Sequence, residues 1–225
     1  LLQIGGTEII ARPKIEKESS TFIYIITAIL IGTALVFLIV KFRKIRWWKI
    51  WYFLAAVLCL SIAFNAFINT VVAIVLGIFF GIYKVLRPAV LIHNFTEIFI
   101  YGGLVAIFAP LLNVFWAFML LLVISLYDMF AVWKSKHMIK LAKAQTEAKI
   151  FAGLLIPYNL KAGKKIRIKK KESKRDGGYL KTAILGGGDI GFPLLFAAVV
   201  MKEIGFIKAL IIPVLVAGAL LALLI

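Results

Sequence analysis

The residues best placed to do chemistry are two aspartates in apolar surroundings. Asp189 follows Gly186-Gly187-Gly188 and precedes Ile190-Gly191-Phe192-Pro193; Asp128 sits in Leu126-Tyr127-Asp128-Met129 near the end of another apolar run. An ionisable side chain at hydrocarbon depth costs roughly 2.5–3.5 kcal/mol on insertion scales, so such residues are functional candidates by default. Two carboxylates brought together in low dielectric cannot both ionise, and the pair shares a proton. That is the state needed for aspartyl proteolysis. The ionised partner takes a proton from water, and the protonated one polarises the peptide carbonyl.

The elements that must position these acids are membrane helices. The chain is 63% hydrophobic and 16% charged, with a mean hydropathy of +1.03, which excludes an ordinary soluble domain. Thr21–Val40 is 20 residues without a charge, enough to cross about 30 Å of hydrocarbon. Trp51–Tyr83 runs 33 residues uncharged, too long for one span, and Asn65, Asn69 and Thr70 mark the turn that splits it. Pro88–Pro110, Leu111–Trp133, Gly178–Met201 and Ile204–Ile225 complete an expected seven spans. The organisation expected is an extramembrane segment at 1–20, a helical bundle at 21–133, a basic loop at 134–181 and closing helices at 182–225.

Charge sets the orientation. Of a net +17, the loop Lys134–Lys181 carries 15 Lys/Arg against three acids, a net +12. With 41–50 and 84–87 also basic and the alternate loops poor in Lys and Arg, the positive-inside rule makes 134–181 cytoplasmic and the protein a multi-pass cell-membrane protein. This distribution argues against nucleic acid as a partner, since base readout needs a folded basic module. Within the loop, Lys134–Lys149 reads as a surface helix or a solvated linker. Lys165-Ile166-Arg167-Ile168-Lys169 alternates as a strand edge would.

Measured from that loop, Asp128 lies six residues before Lys134 and Asp189 eight after Lys181, roughly 9 Å and 12 Å inside one membrane face at helical rise. The match in depth predicts one shared site. Gly186, Gly187 and Gly188 remove bulk for close helix approach and weaken the helix before Asp189. They do not form a phosphate loop, because no Gly-Lys-Ser/Thr follows. Glu97 is a third acid near mid-membrane, and His93 one turn earlier reads as its structural partner. No cofactor or metal is expected: the other histidine, His137, lies in the loop. Asn94-Phe95-Thr96 matches a glycosylation sequon but falls inside a span. The single Cys59 allows no internal disulfide.

Tyr127-Asp128, then a long hydrophilic loop, then Gly186-Gly187-Gly188-Asp189 and Pro193 resembles the Tyr-Asp and Gly-x-Gly-Asp motifs of the presenilin and signal-peptide-peptidase family. Lys136-His137-Met138-Ile139 adds a likeness to archaeal presenilin homologues. The resemblance covers about residue 21 to the end. It implies an all-α, polytopic presenilin-like bundle, with Asp128 and Asp189 as the catalytic pair of an intramembrane aspartyl endopeptidase and Tyr127, Gly186 and Gly188 in support. Its substrates would be transmembrane helical proteins in contact with membrane lipids; a homo-oligomer is left open. The family has nine spans, so the sequence, beginning at Leu1 and stopping at Ile225, reads as lacking the first and last. The Pro-Ala-Leu motif of the last span is not in place: Pro88-Ala89-Val90 falls on another helix, and Pro213 is followed by Val214. The cytoplasmic loop favours presenilin-type orientation over the inverted signal-peptide-peptidase topology. The alternatives are a transporter or channel using Asp128, Asp189 and Glu97 as an ion path, and a prepilin peptidase. Cleaving a helix requires unwinding it, and the segment before Gly186 or Lys165–Lys169 is the expected partner of the unwound strand.

Overall fold

The computed structural model of the protein describes residues 2–4, 7–10, 18–41, 45–86, 90–130, 152–157 and 182–224. The expected surface helix at Lys134–Lys149 and strand at Lys165–Lys169 lie outside these residues. The described elements are an N-terminal hairpin, β1 (Leu2–Ile4) and β2 (Thr7–Ile10), then helices α1 (Glu18–Lys41), α2 (Ile45–Asn65), α3 (Thr70–Leu86) and α4 (Val90–Phe108). A 3-10 turn at Ala109–Leu111 leads into α5 (Val114–Phe130). Strands β3 (Gly153–Pro157) and β4 (Thr182–Gly186) follow, then α6 (Gly187–Glu203), the short α7 (Phe206–Ala209) and α8 (Ile211–Leu224).

The fold is all-α in class: its core is helix packed on helix, with the β3–β4 hairpin set against α4 and the start of α6. Among the described residues, two helical stretches, Trp47–Asn65 and Val90–Leu111, are long and apolar enough to cross a membrane; Thr70–Leu86, Val114–Phe130 and Phe206–Ala222 are apolar but shorter. Large apolar side chains point outward, among them Leu54 at 60%, Leu91 at 82% and Leu215 at 66% exposure. Water does not tolerate such a surface, and lipid does. The long uncharged run turns where its polar residues sit. Thr70 donates to the Asn65 side chain at 2.8 Å, and the Asn69 side chain accepts from the Val72 N–H at 3.0 Å, capping α3.

Two apolar clusters hold the bundle. One joins α1, α4, α5 and α6 through Ile25, Val105, Leu112, Leu120, Leu195 and Val199. The other joins α2 and α3 through Leu60, Phe64 and Ala73, with Phe80 and Phe99 against it. Small residues set the spacing between helices, as expected where lipid supplies no hydrophobic drive. A Cβ at Gly103 of α4 would collide with the Cys59 backbone of α2, whereas one at the neighbouring Gly102 would meet nothing within 4 Å. Gly103→Ala is therefore expected to lower stability by about 1–3 kcal/mol through overpacking. Gly102→Ala should raise it slightly through helix propensity. Paired thermal unfolding curves in one detergent check both signs.

The segment 178–186, part of a continuous hydrophobic run, is not helical where it is described. Residues 182–186 form β4, which pairs antiparallel with β3 in the register Gly153↔Gly186, Leu155↔Ile184 and Pro157↔Thr182. Five extended residues advance roughly 16 Å, against about 8 Å in a helix. Counting helical rise from Lys181 thus misjudges the position of Asp189, which depends instead on how α6 packs.

Candidate active site

Helix α6 starts at Gly187, with Gly186 in extended conformation as its N-cap (φ −61°, ψ 145°) and Asp189 in the first turn. The positive end of the helix dipole favours a carboxylate there. The Asp189 side chain folds back toward Gly186, where a Cβ would lie 3.1 Å from Oδ2. Downstream, Pro193 lies inside the helix and has no N–H for the carbonyl four residues earlier, which is that of Asp189 itself.

At its other end α6 is tied to α5. The Glu203 carboxylate accepts from the Val114 N–H at 3.1 Å, and Lys202 Nζ donates to the Leu112 carbonyl at 2.7 Å. The Asn113 side chain accepts from the Trp116 N–H at 2.8 Å and caps α5. Asp128 is 14 residues beyond Val114, and Asp189 is 14 residues before Glu203, about 21 Å of helix in each case. α5 and α6 pack against each other, so the tie sets both acids at one level. Both acids, and Tyr127 beside Asp128, are exposed rather than sealed in the bundle. Glu203→Ala removes one N-terminal partner of α5 and is expected to cost about 0.5–2 kcal/mol, read as a lowered melting temperature.

The third acid belongs elsewhere. Glu97 is 1% exposed, and its partner is Lys84, at 2.7 Å with both side chains buried. The expected partner His93 stands 3.9 Å away. Lys84, counted with the basic loop in the sequence, is turned into the bundle from the last turn of α3. It also donates to Thr96 Oγ1 at 3.0 Å, and the Tyr52 hydroxyl donates to Glu97 at 3.0 Å. This network is satisfied and structural.

The glycines serve close approach. A Cβ at Gly187 would lie 2.8 Å from the Tyr101 hydroxyl and 3.2 Å from the Ala152 carbonyl, so α4, the entry to β3 and α6 converge there. Gly188, by contrast, is exposed and would place a Cβ 3.6 Å from the Phe192 ring. Sequence reasoning missed Tyr101, whose buried hydroxyl has no hydrogen-bond partner among the described residues. A tyrosine in a long apolar run gives no hint of what its ring will meet.

An all-α membrane bundle with two level acids on adjoining antiparallel helices is thus the class of protein in hand. The family model described as signal-peptide peptidase, presenilin aspartyl protease matches residues 3–225, and the chain belongs to that family. No curated protein and no solved structure matches it. The family is one of aspartyl proteases that act within membranes.

Proposed function

We propose that the chain is an intramembrane endopeptidase that hydrolyses peptide bonds within transmembrane helices through Asp128, Asp189 and a water between them. The observation that carries this reading is the equal 14-residue distance of the two acids from the Val114–Glu203 tie. One carboxylate, ionised, takes a proton from the water as it attacks the scissile carbonyl. The other, protonated, donates to the carbonyl oxygen, and the proton returns to the leaving amide nitrogen. Tyr127 and the Gly186–Gly188 stretch support the pair.

The substrate is a transmembrane helix that must unwind before its carbonyl is reachable. β4 runs directly into the Asp189 helix, and an unwound segment adds to it as a further strand, its backbone bonds replacing those lost from the helix. The protein is multi-pass in the cell membrane with the 134–181 loop cytoplasmic, as the charge asymmetry requires. The ion-path reading is weaker. Glu97 would have to be its third station, yet it is sealed in the bundle and neutralised by Lys84 at 2.7 Å.

The test is proteolysis of a single-span substrate by the full-length protein in liposomes, alongside proton and cation flux. Cleavage without flux is the expected result. Flux that depends on Asp128 and Asp189, without cleavage, would overturn the reading.

A further inference from the structure

The two strands before α6 do not present equivalent outer edges. In an antiparallel pair, residues whose N–H and C=O point at the partner alternate with residues whose groups point away. The Gly187 N–H donates to the Ala152 carbonyl at 3.2 Å. With the register Leu154↔Leu185, the inward pairs are therefore 152/187, 154/185 and 156/183. Gly153, Leu155 and Pro157 of β3 direct their backbone groups outward, as do Thr182, Ile184 and Gly186 of β4.

On β3 that outer edge is taken. The Asn94 side chain of α4 donates to the Leu155 carbonyl at 2.7 Å and accepts from the Leu155 N–H at 2.9 Å. One amide thus reproduces both bonds that a neighbouring strand would make. His93 Nε2 lies 2.9 Å from the Gly153 carbonyl, and Pro157 has no N–H to offer. The histidine is oriented for this contact: Lys84 Nζ, which can only donate, faces Nδ1 at 3.4 Å. Nδ1 is therefore the acceptor, and Nε2 carries the proton given to Gly153. On β4, by contrast, no described residue pairs with the outward groups of Thr182 and Ile184; Gly186, as the N-cap of α6, gives its carbonyl to the first turn of that helix.

We infer that Asn94, with His93 beside it, is a positioning residue that closes the β3 edge, so that an unwound substrate adds only to β4 and in one register. An open sheet edge is a template for any extended chain, and specificity comes as much from blocking the wrong edge as from offering the right one. Asn94 also pins β3, which holds Gly187 through Ala152 and thereby the start of the Asp189 helix. The inference rests on the strand-addition reading above.

The experiment compares the full-length protein with Asn94→Asp, which keeps the size but cannot donate to the Leu155 carbonyl, and with Asn94→Gln, which carries both groups on a longer arm. Products from a single-span substrate in liposomes are mapped by mass spectrometry, and amide exchange is followed over 152–157. In both variants cleavage should persist and remain sensitive to Asp128→Asn, but spread from one dominant bond to its neighbours. KM should rise about three- to tenfold, the size of one or two lost hydrogen bonds, with kcat little changed, and the Leu155 amide should exchange faster. An unchanged product pattern and KM beside faster exchange would overturn the inference while leaving the protease reading intact. A variant that loses all cleavage while its 152–157 amides exchange normally would also overturn it. No Asp128-dependent cleavage by the unsubstituted protein would overturn that reading and this inference together.

Discussion

Asp189→Asn is expected to abolish cleavage, by at least about a thousandfold, with no loss of the folded bundle, and Asp128→Asn should do the same. General acid–base catalysis by one positioned group contributes roughly 10²–10⁴-fold, and in the proposed mechanism each acid has a role the other cannot fill alone. Asparagine matches the carboxylate in size but neither takes a proton from water nor donates one as an acid does. Because the two act as a unit, the double substitution should be no worse than either single one. Thermal unfolding should change little, since both side chains are exposed rather than packed. Rates measured on one reconstituted substrate, beside melting curves for the same preparations, check the result. Substantial cleavage by either variant would remove the shared-dyad mechanism.

The largest effect on stability is expected from the buried ion pair. Lys84→Met leaves the Glu97 carboxylate in the bundle with the Tyr52 hydroxyl but no cation, and Glu97→Gln leaves the ammonium of Lys84 uncompensated. Breaking one side of such a pair costs about 3–5 kcal/mol, whereas replacing both partners is often nearly neutral. Each single variant should therefore melt well below the parent, and Lys84→Met combined with Glu97→Gln should recover most of the loss. A double-mutant cycle in detergent measures that coupling. Additive losses would mean that the two charges do not compensate each other. Lys84 also faces His93, so the lysine variant should loosen β3 as well, visible as faster amide exchange at 153–155.

Much of this was legible in the residues. The Gly-x-Gly-Asp and Tyr-Asp motifs led to the family later matched over residues 3–225, and the polar set at Asn65–Thr70 marked a turn that the structure makes. His93 does stand 3.9 Å from Glu97, but the cation that neutralises Glu97 was not legible. Spacing along one helix offered His93, while the residue that neutralises Glu97 comes from the preceding helix, and a lysine near a helix end looks the same whether it snorkels outward or turns in. The extended stretch at 182–186 was hidden for a related reason: a short apolar run has the same hydropathy as strand or as helix. Asn94 read as a discounted sequon, and only its distance to Leu155 shows that it stands in for a strand.

By itself the sequence determined what depends on composition and order: a membrane-embedded all-α chain, the charge asymmetry of its loops, and the motifs that mark its family. Hydropathy and net charge act locally, so they can be summed along the chain. The tertiary structure decided what depends on approach between distant segments. It set the level of Asp128 and Asp189 through Glu203 and Val114, the pairing of Lys84 with Glu97, and the closing of one sheet edge by Asn94. Hydrogen bonds and ion pairs act over about 3 Å with strict direction, and no property of a single segment reports which groups from another will come that near.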